Sequence, residues 1–202
     1  MSFSRNQAPA VNAGSMADIA FLLLIFFLVT TTLETDQGLS RLLPAKDSPT
    51  PTPKAERNIL RVKLNAQDAL MVGTQIVTVD QLPSLVATFL DNGGKDCQYC
   101  QGQGQSSLSD SPKAAVVSLA SAPQSSYARY IEVQNALSIA YTELRDREGT
   151  RLYEESFSSM KERWASPTIS LEEKQQLTEK LKQLQKLFPQ QIVESTLEPQ
   201  NF

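Results

Sequence analysis

Apolar residues crowd into one run near the amino terminus and are otherwise spaced at the short periods of a folded domain. Met16 to Leu33 reads MADIAFLLLIFFLVTTTL, with Asp18 as its single charge. As a helix rising about 1.5 Å per residue, this segment is roughly 27 Å long, near the thickness of a bilayer's hydrocarbon core. The pattern predicts a transmembrane helix over residues 16–33. A secretory signal peptide is a rival reading. It would need a basic start and a small-residue cleavage site, whereas Arg5 is the only basic residue ahead of the run and Thr30, Thr31, Thr32 and Leu33 close it. A buried helix of a soluble core is the other rival, since the purely apolar part, Ile19 to Val29, is short.

Charge around the run gives its orientation. Arg5 precedes it, Glu34 and Asp36 follow it, and Arg41 and Lys46 come later. The amino terminus, residues 1–15, is read as cytoplasmic and the long polar remainder as external.

Beyond the run, Asp47 to Lys54 reads DSPTPTPK. Alternating prolines resist helix and favour extended backbone, so residues 34–58 read as a semi-rigid linker. Ile59 to Leu64 then alternates apolar and polar, as a half-buried strand does. Ala69 to Val72 and Gln75 to Val79 are short strand candidates, with turns at Asn65–Asp68 and Val72–Thr74. Asp80 is placed to cap a helix from Gln81 to about Leu90, with Leu82, Leu85, Val86 and Phe89 on one face and Asn92-Gly93-Gly94 as its stop. Ala114 to Ala120 is an apolar strand, and Ser125 or Ser126 caps a long helix running to about Arg147. The expected fold class is α+β: one amino-terminal transmembrane helix, a small domain over 59–146, and a helical extension over 147–202. In that extension Ser170 and Glu173 have capping-box spacing, and Leu177, Leu181, Leu184 and Phe188 form an apolar stripe. The stripe fits a helix packed on its own domain or one docking a partner. Gln191 to Glu194 reads as a last short strand.

Composition narrows the function. The 202-residue chain carries a net charge of −3 and a pI near 5.1, so no basic field marks a nucleic-acid binder. It has no histidine, which removes Ser-His-Asp and Cys-His catalysis and the commonest transition-metal ligand. Its two cysteines, Cys97 and Cys100, cannot by themselves complete a four-ligand zinc site. No cofactor is expected, and no catalytic constellation points to an enzyme.

Asp18 changes the picture most. A carboxylate inside hydrocarbon costs on the order of a few kcal/mol, and such residues are often functional. Leu22, Ile25 and Val29 share its helical face. Hydrocarbon favours the protonated carboxyl over the charged one, so this group suits proton uptake and release. A wetted interfacial position, or a favourable place near the helix amino terminus, is the alternative.

Asn12 through Val29, NAGSMADIAFLLLIFFLV, resembles the signature of the ExbD/TolR family: an Asn six positions before a membrane Asp, followed by a Leu/Ile/Phe-rich run. The family often has proline three positions before the Asp, where this chain has Ser15. Leu42-Leu43-Pro44-Ala45 resembles the family's short motif after the membrane helix, and the element order from Ile59 to Ala140 is similar to its periplasmic domain. The resemblance implies that Asp18 is the proton-coupling acid and that two such helices, from a homodimer, sit within a ring of an ExbB/TolQ-like multi-helix protein. It also implies a periplasmic domain that contacts a TonB- or TolA-like protein. The implied function is a proton-motive-force-coupled subunit of a bacterial inner-membrane complex powering outer-membrane transport. A TolR-like role in envelope maintenance and a passive membrane-anchored binding module are the alternatives. Residues 147–202 go beyond the usual family domain.

Cys97-Gln98-Tyr99-Cys100 lies in a Gly-, Gln- and Ser-rich segment, Gly93 to Pro112. A local disulfide suits an oxidising periplasm. A thioredoxin-type pair would need a strand-to-helix setting, which is missing here, and a metal site would need ligands from another chain.

Overall fold

The computed structural model describes residues 13–30, 55–95 and 97–197. It contains two separate compact units, residues 1–40 and residues 41–202. The first holds one helix, α1 (Ala13–Thr30). Its start lies at Ala13 rather than Met16, and the last residues of the expected span, 31–33, lie outside the described residues.

The second unit is α+β. Its strands are β1 (Ile59–Leu64), β2 (Leu70–Val72), β3 (Gln75–Val77), β4 (Val116–Ser121) and β5 (Ile192–Thr196). They form one sheet in the order β3-β2-β1-β4-β5. The β1-β2-β3 meander is antiparallel, whereas β1 with β4 and β4 with β5 are parallel. Each parallel pair therefore needs a crossover. The helix α2 (Leu82–Leu90) supplies the first, and α3 (Tyr127–Tyr153), α4 (Phe157–Ala165) and α5 (Leu171–Leu187) supply the second.

Alternation in β1 places Val62 and Leu64 inside, fully buried, while Arg61 is exposed. Val62, Leu70, Val117 and Leu119 from the sheet meet Leu82, Val86, Phe89 and Leu90 of α2 and Val133, Leu137, Ala140 and Tyr141 of α3 in one core. Each fully buried large apolar side chain here contributes about 1.5–3 kcal/mol relative to exposure. The α2 segment starts differently from the sequence expectation. Thr78, not Asp80, caps a short 3-10 turn (Val79–Gln81), and the Gln81 side chain returns to the Thr78 backbone in a capping box.

Two expected boundaries move. The sequence places the end of the linker at 58, whereas Glu56–Asn58 form a 3-10 turn on the domain. Asn58 is buried there, its amide donating to Asp110 Oδ2 at 2.9 Å and its Oδ1 accepting from the Asp110 N–H at 2.7 Å. Residues 34–54 lie outside the described residues. The expected division between 146 and 147 falls inside α3, which Ser126 caps and which continues to Tyr153, where Glu154 takes a left-handed conformation (φ 58°). The helix runs on because its inward stripe does: Leu144, Arg145, Glu148 and Gly149 are buried, the last against the Glu155–Phe157 turn and Leu184.

The carboxy-terminal residues combine helices with a strand. Ser170 accepts from the Glu173 N–H and caps α5. The Leu177 and Leu184 positions of its stripe join Phe157 and Met160 in a second small core, against which Leu181 packs, and Phe188 joins the main one. β5 then completes the sheet beside β4.

Candidate functional site

Helix α1 is apolar all round its cylinder, because the Leu, Ile and Phe residues from Ile19 to Leu28 leave no position for a polar face. Its described side chains are exposed: Phe21 60%, Leu24 65% and Leu28 70%. A water-soluble surface helix carries one apolar stripe and a polar back. Asp18 is the single charged residue of α1, one turn before Leu22 and two before Ile25, on the same face. Near the other end the Thr30 hydroxyl donates back to the Phe26 carbonyl at 2.8 Å, which removes a free polar hydrogen from the helix surface. Among the described residues no helix is long and apolar enough to cross a membrane. The described residues of this unit thus present one carboxylate on a helix whose other large side chains are apolar and exposed.

In the second unit Cys97 and Cys100 are joined by a disulfide, with their Cα atoms 5.4 Å apart. This is the local disulfide expected from the sequence, and it lies in the Gly-, Gln- and Ser-rich segment. The structure pins this segment from beneath. The buried Asn92 side chain donates to the carbonyls of Gln105 (2.9 Å) and Ser109 (2.8 Å) and accepts from the Gln105 N–H (2.8 Å). Gly102 lies so close to the end of α2 that a Cβ there would stand 2.5 Å from the Asn92 Cα and from the Asp91 carbonyl oxygen. No larger residue fits without moving backbone.

Above this floor runs a polar groove of about 550 Å³, bordered by Thr88, Asp91, Gln101, Gln105, Glu143 and Arg147. Arg147 binds Asp91 with both ends of its fork, at 2.6 and 2.9 Å, and donates to the Tyr99 carbonyl at 3.3 Å. The hydrogen bonds to Asp91 raise the Arg147 pKa above its usual range, so the cation is permanent. Both carboxylate oxygens of Asp91 are engaged in that pair. Burial, then the Glu148 and Asp91 carboxylates, push the Tyr99 phenol upward, so it stays protonated and donates to the Leu187 carbonyl at 2.9 Å. Among the described residues no cluster of three His, Cys, Asp or Glu side chains is placed to hold a metal.

Sequence reading singled out Asp18, Cys97 and Cys100. The last two are brought together, and Asp18 belongs to the other compact unit. It missed Asp91, Tyr99 and Arg147, whose partners lie 56, 88 and 48 residues away along the chain; no local pattern announces such pairs.

Against known proteins, no curated protein gives a match. The family model described as Biopolymer transport protein ExbD/TolR matches residues 4–145, from before α1 to the middle of α3. That match takes in Asp18, the whole β1–β4 sheet and α2, and it covers well over half of the 202 residues. The α4–α5 pair and β5 lie beyond it. With the lone carboxylate on an apolar helix and the α+β domain both inside the matched region, the chain belongs to the ExbD/TolR family of biopolymer transport proteins.

Proposed function

We propose that this chain is the proton-driven subunit of an inner-membrane complex of the ExbB–ExbD–TonB type. Members of the family are non-enzymatic, membrane-anchored subunits of energy-transducing transport complexes and work with ExbB/TolQ and TonB/TolA proteins. In this reading the apolar span over residues 16–33, of which α1 covers all but the last three residues, is the anchor. The domain over residues 55–197 is periplasmic, and two copies of α1 stand inside an ExbB/TolQ-like ring. The observation that carries the reading is the single carboxylate, Asp18, on a helix otherwise apolar on every side.

The proton motive force supplies roughly 2.3 kcal/mol per charge per 100 mV. Protonation neutralises Asp18 and lets it face an apolar wall; deprotonation turns it toward a polar site. Alternation between two copies biases rotation or rocking, and the segment between α1 and β1 passes that motion to the domain.

The test is Asp18→Asn, which keeps the size and much of the hydrogen bonding but cannot cycle a proton. Ligand uptake across the outer membrane should fall to the level seen with a proton uncoupler, while the ExbB/TolQ-like partner still copurifies. Asp18→Glu should retain little uptake, because the added methylene displaces the acid. Full uptake with the Asn variant would leave α1 a passive anchor.

A further inference from the structure

The disulfide has no counterpart in the proton-coupling reading, and its position carries an inference independent of it. The bond closes a ring between residues three apart. So short a loop removes little chain entropy from the unfolded state, so the bond adds little to global stability. What it does locally is hold the two residues between its ends, Gln98 and Tyr99. Tyr99 reaches from this ring to the joint between α5 and β5. Its hydroxyl donates to the Leu187 carbonyl at 2.9 Å, and its ring meets the Phe188 ring edge-on, centroids 5.4 Å apart. The Tyr99 carbonyl is itself held by Arg147 at 3.3 Å.

The joint so clamped leads straight into an edge strand. The Gln191 carbonyl accepts from the Val117 N–H at 2.9 Å, opening the β4–β5 ladder. Both cysteines are half-buried and the intervening Gln98 is exposed, so a small thiol can reach the bond. We propose that Cys97–Cys100 is a reducible clasp: closed, it seats Tyr99 against Leu187 and Phe188 and fastens the start of β5; opened by a dithiol, it releases that joint.

The step balances with a dithiol reductant. One thiolate of the reductant attacks one sulfur of the pair and forms a mixed disulfide as the Cys97–Cys100 bond breaks. The departing sulfur takes a proton. The second thiol of the reductant then displaces the remaining protein sulfur, leaving two cysteine thiols and an oxidised, cyclised reductant. Two electrons and two protons pass to the protein.

Hydrogen exchange on the full-length protein in detergent, with and without dithiothreitol, tests the clasp. Reduction should raise exchange across residues 187–194 about tenfold while β1 keeps its protection, as expected for local opening. Cys97→Ser combined with Cys100→Ser should show the raised exchange without reductant. Tyr99→Ala should show it with the disulfide intact, and reduction should then add nothing. Unchanged exchange at 187–194 on reduction would overturn the clasp. So would equal loss of protection in β1, which means a general staple, or a full response to reduction in Tyr99→Ala, which means that Tyr99 does not transmit it.

Discussion

The guanidinium of Arg145 donates two hydrogen bonds to one acceptor, the carbonyl oxygen of Phe188, at 3.1 Å from Nε and 2.6 Å from Nη2. The cation is buried, with the rings of Tyr141 and Phe157 5.7 and 5.4 Å from its central carbon. Burial pushes its pKa down to about 10, which still leaves it charged at neutral pH. It therefore fastens α3 to the α5–β5 joint, one residue on from Tyr99's hydroxyl contact with Leu187.

Arg145→Met retains the apolar stem but leaves the Phe188 carbonyl without its donors. The expected loss is about 1–3 kcal/mol. Denaturant unfolding followed through Trp164, the single tryptophan, measures it. Arg145→Lys should restore little, since an ammonium lacks the planar fork. Wild-type stability in both variants would show the carbonyl satisfied by other means.

Gly149 sits inside α3, where alanine is normally preferred by about 1 kcal/mol. Here a Cβ would stand 2.8 Å from the Glu155 carbonyl oxygen and 3.0 Å from the Phe157 nitrogen. Backbone atoms cannot yield as a side chain can, so Gly149→Ala should destabilise by about 1–3 kcal/mol against the propensity trend. A calorimetric melt showing Gly149→Ala equal to or above wild type would contradict this close packing.

Asp110 predicts an acid limb. Its carboxylate accepts from Asn58 at 2.9 Å and pairs with Arg57 at 2.5 Å and Lys95 at 3.6 Å. The Asn58 hydrogen bond, then the two cations, hold its pKa below the ordinary 3.8. A carboxyl whose folded pKa is depressed adds stability above its unfolded pKa. That stability drains away as pH falls through 3.8 toward the lower folded value. Asp110→Asn should therefore lower stability at pH 7 and flatten the dependence below pH about 4. An unchanged acid limb in a pH series of denaturation midpoints would place the titration elsewhere.

Topology is open to chemical labelling. With Cys97 and Cys100 replaced by serine, single cysteines at Arg5 and at Lys63 should respond oppositely to an impermeant thiol reagent applied to spheroplasts. Position 63 should label and position 5 should label only after lysis. Labelling of position 5 in intact spheroplasts would reverse the assigned orientation of α1.

Much of this protein follows from short-range pattern. The alternation of Ile59–Leu64, the stripe of α2, the cap at Ser126, the Ser170 cap of α5 and the apolar run of α1 each depend on residues within a turn or two of one another, so propensity and periodicity suffice to place them. The three-residue spacing of Cys97 and Cys100 likewise keeps their sulfurs within reach in almost any loop. The isolated charge at Asp18 is legible in the same way, because it needs only its neighbours to stand out. The tertiary structure decided the rest. It carried α3 past Arg147 to Tyr153, because Arg145 and Gly149 pack against α4, α5 and the joint beyond them, while the buried Glu148 pairs with Arg151 of the same helix. It made β5 a fifth strand of the sheet, and it paired Asn58 with Asp110, Asp91 with Arg147 and Tyr99 with Leu187. These contacts join residues some fifty to ninety positions apart. Their stabilisation exists only once a buried polar group has lost its water and its partner is already in place, a condition that no local stretch of chain contains.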